Sequence, residues 1–168
     1  MENTYPQPAP TAATSLAMPL ADLWQAEEAV GHRLDAWLLA HLRSHGSDQT
    51  QAASEVRRGY HRARRELRVH LRALGRDVVR LPILFQDASH PARPDAAARG
   101  LQRLHRELSR ANARLNRLSR MATLRREHKT AQVLSALHEA QLDTLELVRE
   151  LFQAGQARSR EALRQTAA

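Results

Sequence analysis

The chain has 168 residues and carries 26 Lys+Arg against 18 Asp+Glu, which gives a formal net charge of +8. It contains no cysteine, and this excludes a disulfide scaffold, thiolate zinc sites and cysteine nucleophiles. No apolar run approaches the roughly 18 residues that a membrane-spanning helix needs, and 42% apolar residues indicate a globular chain. All but one of the basic residues are Arg, the exception being Lys129, which favours a GC-rich, bacterial genome.

The N-terminal segment differs in composition from the rest of the chain. Residues 1–18 are rich in Pro and Ala and predict a flexible, extended tail. Because they lack the basic and apolar regions of a secretory signal, we expect a cytoplasmic protein. Leucines and tryptophans at spacings of three and four then predict a first helix over about 19–45, and Gly46 signals its end.

Further helices follow in the middle and C-terminal parts of the chain. A second helix is predicted over about 49–81, ended by Pro82, since a residue before proline is driven out of the α region. After the proline-rich stretch 82–94, helix resumes at about residue 95. It either continues unbroken to about 155 as a long protruding helix or folds near 127–130 into two helices, 95–127 and 130–155.

No alternating β-branched run and no hairpin dipeptide indicates a strand. We therefore expect an all-α fold, a three- to four-helix bundle with Arg-rich amphipathic helices. The expected domain is a single one over 19–157, followed by a frayed tail over 158–168.

The positive charge is concentrated in the middle of the chain. Residues 1–50 hold 2 basic and 6 acidic groups, a charge of −4, and residues 131–168 hold 4 basic and 5 acidic groups, a charge of −1. Residues 51–130 hold 20 basic and 7 acidic groups, a charge of +13. At 100° per residue, all nine arginines of the second helix fall in one arc opposite its apolar residues.

Arg presents a planar fork of donors that matches phosphate, so this pattern predicts a nucleic-acid or other polyanion surface without sequence-specific readout. The first Arg row lies on the second helix and comprises Arg57, Arg58, Arg62, Arg65, Arg68, Arg72 and Arg76. The second Arg row lies on the next helix and comprises Arg103, Arg106, Arg110, Arg114 and Arg117. Such a protein could be a subunit of a nucleoprotein assembly; the alternative is a solvated face in an Arg-rich chain.

Acidic residues near the C-terminus support a second hypothesis. They recur at spacings of 4, 3 and 4 and form an acidic stripe of Glu139, Asp143, Glu146 and Glu150. This stripe could pair with the Arg rows, within one chain if the third helical stretch is a hairpin, or between chains in a homodimer or a protein–protein adaptor. Intramolecular pairing would reduce the charge that is left for a polyanion.

Enzymatic and metal chemistry finds little support. None of the nine histidines has Glu three residues before it, as carboxylate-bridged di-iron bundles require, and no Gly-rich phosphate loop occurs. We therefore expect no metal and no cofactor. Arg–His pairs at the spacing of HEPN-class RNases occur three times, against about four expected by chance from composition, so an RNase is a minor alternative.

Two local features remain. The segment His61-x-x-Arg64-x-x-x-Arg68 is similar to the basic helices of polyphosphate-binding CHAD domains, but it covers eight residues and does not assign that family. Glu27 falls on the apolar arc of the first helix. We expect it at the helix edge; if it is instead buried, it needs a cation such as Arg or His from another helix.

Overall fold

The computed structural model describes residues 16–42, 47–76 and 94–166, and the statements below refer to these. They form four α-helices: α1 (Ala17–Leu42), α2 (Ser47–Ala73), α3 (Pro94–Leu124) and α4 (His128–Thr166). The helices pack into one four-helix bundle without strands in the described part, which confirms the predicted all-α fold. No described helix is both long enough and apolar enough to span a bilayer.

Two helices end in the same hydrogen-bonded motif. At the end of α2, Gly75 has a φ of 73°, its N–H donates to the Arg72 carbonyl, and the Arg76 N–H donates to the Leu71 carbonyl. This is a Schellman motif, in which a left-handed residue closes the helix. Helix α2 therefore ends at Ala73 rather than near Leu81, because Gly75 stops it well before Pro82. Residues 77–93 lie outside the described part.

The turn between α3 and α4 repeats this motif without glycine. Arg126 has a φ of 58°, its N–H donates to the Thr123 carbonyl, and the Glu127 N–H donates to the Ala122 carbonyl. The chain reverses here, so the expected hairpin is present and the unbroken helix over 95–155 is wrong. Helix α4 continues through Gly155 to Thr166, beyond the expected end near 155.

The helices stand at the corners of a square. Helices α1 and α4 each contact both α2 and α3, so α1 lies diagonally opposite α4, and α2 lies diagonally opposite α3. Asp35 meets Arg57 and Glu28 meets Arg64, so α1 runs antiparallel to α2. Arg33 meets Glu107 and Trp37 lies beside Gly100, so α1 also runs antiparallel to α3. Helices α2 and α3 therefore run in the same direction.

Leucine fills the centre of the bundle. The fully buried side chains include Leu34, Leu67, Leu108, Leu115 and Leu137, which come from all four helices. Trp24 is buried with them, and Trp37 packs against the cluster while half-buried. Burying a leucine side chain stabilises the fold by about 2 kcal/mol, so the apolar stripes predicted from sequence account for the association of the helices.

Candidate nucleic-acid interface

A polar cluster lies inside the bundle, between α1, α2 and α4. Glu27 of α1 is fully buried, which corrects the expectation that it lies at the helix edge. The Tyr60 hydroxyl of α2 donates a 2.6 Å hydrogen bond to Glu27 Oε2, and Gln141 Nε2 of α4 donates to Glu27 Oε1. Burial raises the Glu27 pKa to about 7, although the Tyr60 hydrogen bond and the charge of Arg64 oppose the shift.

Arg64 supplies the cation that a buried carboxylate requires. Its guanidinium lies 5.5 Å from the Trp24 ring centroid and 5.6 Å from that of Tyr60, and it forms an ion pair with Glu28. Gly31 makes room for it, since a Cβ at that position would collide with the guanidinium. Arg64 is therefore buried between α1 and α2, although helical periodicity places it in the solvent-facing arginine arc.

A second ion-pair group joins α1 to α2 nearer the surface. Asp35 Oδ1 accepts hydrogen bonds from Arg57 Nε at 2.6 Å and from His61 Nε2 at 2.8 Å. Burial alone would raise the Asp35 pKa, but the hydrogen bonds from His61 and Arg57 outweigh it and hold the pKa below its ordinary value. Of the four acidic residues in α1, three are thus engaged with α2, and Asp22 is exposed.

The first Arg row is largely available to solvent. Five of its members are exposed, and no ion pair is formed by any of them with a described acid: Arg58, Arg62, Arg65, Arg72 and Arg76. The other two are half-buried. Arg57 is engaged with Asp35, and the Nε of Arg68 is buried without a hydrogen-bond partner. Arg57 is therefore a poorer candidate for phosphate contact than the sequence suggests.

The second Arg row is exposed along its whole length on α3. Arg103 Nε lies 3.3 Å from Glu107 Oε1, and Glu107 also pairs with Arg33 of α1. Among the described acids, none pairs with the remaining four arginines of the row. Most of the positive charge on α3 therefore faces solvent uncompensated.

Part of each row lies on the side of its helix that faces α1. On α2, His61 and Arg64 face α1. Arg65 and Arg68 lie one turn further along the helix and therefore share that side. On α3, positions three, four and seven residues from Glu107 share its α1-facing side. They are held by Arg103, Arg110 and Arg114.

The two rows also lie at the same level along α1. Arg57 meets Asp35 and Arg64 meets Glu28, which sets the register of α2. Glu107 meets Arg33, which sets the register of α3. Counting along the antiparallel helices, both rows flank the stretch of α1 from about residue 23 to residue 34. The bundle thus has a basic edge, which we define as α1 with the first and second Arg rows on either side.

The acidic stripe lies on the opposite side of the bundle. Its four carboxylates are all exposed on α4, the helix diagonal to α1. Although the hairpin brings α4 beside α3, no ion pair joins the stripe to either Arg row in the described residues. The predicted intramolecular neutralisation of the Arg rows is therefore absent at ion-pair distance.

The histidines do not assemble a metal site in the described chain, where no group of three His, Cys, Asp or Glu side chains could hold an ion. His70, which follows Arg64 and Arg65 at the RNase-like spacing, is buried with its Nε2 2.9 Å from the Thr130 hydroxyl. Burial lowers the His70 pKa, with a smaller contribution from Lys129. Sequence reasoning missed this contact between α2 and α4, for which no periodic signal exists.

The site is thus a charged edge of a bundle, held by one buried ion pair and a half-buried ion-pair group between α1 and α2. No protein-family model matches the chain, and no curated protein and no solved structure is significantly similar to it.

Proposed function

We propose that this chain is a non-enzymatic, nucleic-acid-binding protein that contacts phosphate groups through the two Arg rows of its basic edge. One observation carries the proposal: ten arginines of the two rows are exposed, and nine of them have no acidic partner among the described residues. The rows offer guanidinium groups for phosphates and no arrangement of side chains that reads bases. Binding is therefore to the phosphate backbone and is independent of sequence. A subunit role in a nucleoprotein assembly fits this chemistry.

Electrostatics supports a polyanion rather than a bare solvated face. Like charges three or four residues apart destabilise a helix by about 0.2–0.5 kcal/mol for each pair, and each Arg row contains several such pairs. Meanwhile three of the four α1 acids are turned toward α2, where they pair with or lie beside its buried or half-buried cations. The edge therefore keeps uncompensated charge that a row of phosphates would neutralise.

The test is equilibrium binding of labelled nucleic acid over a range of salt concentrations. We expect binding at about 50 mM salt that weakens steeply toward about 200 mM, because each phosphate contact releases counterions. Absence of detectable binding to duplex DNA, single strands and polyphosphate at about 50 mM salt would overturn the proposal.

A second function, a protein–protein adaptor or homodimer, is favoured by the exposure of the acidic stripe. Its carboxylates are exposed without an ion pair in the described structure, and Leu142 beside them is 46% exposed. In this alternative a basic surface of another molecule, or of a second copy, covers the stripe. The measurement is the molar mass after nuclease treatment; a strictly monomeric particle without a co-purifying partner contradicts it.

A further inference from the structure

We propose that α1 enters the major groove of B-form duplex DNA, while the first and second Arg rows contact the phosphates of the two strands on either side. This inference rests on the proposed nucleic-acid binding and adds the form of nucleic acid that the edge recognises.

The shape of the bundle supports insertion of α1. Packed helices lie about 8–10 Å apart, so α2 and α3, at opposite corners of a square, are separated by about 11–14 Å. The α1 axis then stands about 6–7 Å in front of the line that joins them. A major groove is about 12 Å wide and about 8.5 Å deep, and it admits an α-helix.

The outward face of α1 is suited to close approach. It presents short or uncharged side chains over three turns: Gln25, Ala29, His32 and Ala36. Gln25 and Ala36 are exposed, and His32 Nε2 lies 3.3 Å from Glu28. The acids Glu27, Glu28 and Asp35 are turned toward α2, so they do not present charge to a phosphate backbone. Asp22, three residues before Gln25, is exposed and marks the N-terminal limit of this uncharged face.

The two Arg rows lie where the groove walls would be. They flank the same stretch of α1, and part of each row faces it, so a helix seated in the groove would bring one row to each strand. The helical part of the first row, from Arg58 to Arg72, covers 14 residues, or about 21 Å, and the second row, from Arg103 to Arg117, covers the same length. These lengths lie within one turn of duplex, which is about 34 Å.

The groove dimensions lead to a preference among nucleic acids. Duplex RNA has a deep, narrow major groove that side chains cannot read, and a single strand has no groove. We therefore expect tighter binding to a DNA duplex than to an RNA duplex of the same sequence and length, by about tenfold or more at about 100 mM salt.

The closing experiment uses the full chain and fluorescence anisotropy with four probes: a 24-base-pair DNA duplex, the matching RNA duplex, the DNA single strand and polyphosphate. The edge variant Gln25→Glu/Ala36→Glu adds two negative charges to the exposed face of α1. The control variant Ser135→Glu/Gln153→Glu adds the same charge at exposed positions of α4. Circular dichroism verifies that both remain folded.

We expect the edge variant to lose about tenfold or more of the DNA-duplex affinity relative to the control variant. As a measurement that needs no variant, the wild-type protein should displace methyl green, a major-groove dye, from DNA and should leave distamycin bound in the minor groove. Equal binding of the two duplexes, equal effects of the two variants or displacement of distamycin would overturn the inference. Binding to no probe would instead overturn the proposed function.

Discussion

The Tyr60 hydroxyl donates a 2.6 Å hydrogen bond to the Glu27 carboxylate at a point where neither side chain reaches solvent. Because Gln141 donates to the other carboxylate oxygen, one side chain of α1 links the bundle to both α2 and α4. Helices α1 and α4 are diagonal, so this contact crosses the centre of the core. The link makes the packing of the bundle sensitive to the protonation of a single carboxyl group.

The first prediction concerns the pH dependence of stability. Burial raises the Glu27 pKa in the folded protein from 4.5 to about 7, so the folded state binds the proton more tightly than the unfolded state. The resulting stabilisation is present in full below about pH 4.5 and is lost as pH rises through 7. Relative to Glu27→Gln, wild type should lose about 3 kcal/mol of unfolding free energy between pH 4.5 and 8.

Urea unfolding of both proteins across this pH range measures the difference, in which the contributions of His70 and Asp35 cancel. The control is Glu55→Gln at an exposed position of α2, for which we expect no change in the pH profile. Parallel profiles for wild type and Glu27→Gln would contradict the prediction.

The second prediction concerns the space beneath Arg64. Substituting alanine for glycine inside a helix ordinarily stabilises by about 0.5–1 kcal/mol. At Gly31 the new Cβ collides with the Arg64 guanidinium, which is buried and paired with Glu28 and cannot move aside without losing that contact. We therefore expect Gly31→Ala to destabilise by about 1–3 kcal/mol.

Gly59 provides the matched control, because its Cβ would meet no atom within 4 Å. Gly59→Ala should raise the thermal midpoint while Gly31→Ala lowers it. A stabilising effect at both positions would show that Arg64 does not need the space.

The third prediction compares two equivalent positions at helix ends. Gly75 and Arg126 each occupy the left-handed residue of a Schellman motif, with φ of 73° and 58°. A residue with a Cβ is strained there by about 1 kcal/mol, so Gly75→Ala should destabilise and Arg126→Gly should stabilise, each by up to about 1 kcal/mol. Chemical denaturation of the two variants checks the opposite signs, and a shift of both in the same direction would contradict the assignment.

The fourth prediction concerns the contribution of each Arg row to binding. Replacing Arg62, Arg65 and Arg72 by Gln, or Arg106, Arg110 and Arg114 by Gln, should weaken DNA binding and reduce the salt slope by up to about 0.9 for each lost contact.

The control for the fourth prediction removes Arg160 and Arg164, two exposed arginines near the C-terminal end of α4 and outside both rows. This variant should retain a salt slope close to that of wild type. If every variant lowered the salt slope in proportion to the charge that it removes, irrespective of position, binding would not be confined to the basic edge.

Sequence periodicity predicted the helices because leucine spacing and the glycine and proline positions act locally. It placed the end of α2 too late, since Pro82 is a recognisable stop whereas the left-handed conformation of Gly75 depends on hydrogen bonds to preceding carbonyls. It treated Gly155 as an end, yet a helix tolerates glycine at a cost of about 1 kcal/mol, and α4 continues to Thr166.

The buried cluster and the charge distribution could not be predicted in the same way. Glu27 stood on the apolar arc, which is a signal of burial, but Arg64 shares its periodicity with the solvent-facing arginines. Its burial depends on the gap at Gly31 of another helix. The diagonal position of α4 relative to α1 depends on the order of helices around the bundle, which no local pattern specifies.

That diagonal order has a consequence for the approach to a ligand. The excess of positive charge lies on α2 and α3, at two opposite corners of the bundle, whereas α1 holds four acids against one arginine and the charges of α4 balance. A polyanion therefore attracts the bundle through α2 and α3, and this attraction makes encounters more frequent. The rate of association should consequently fall with ionic strength even where the final contacts are the same.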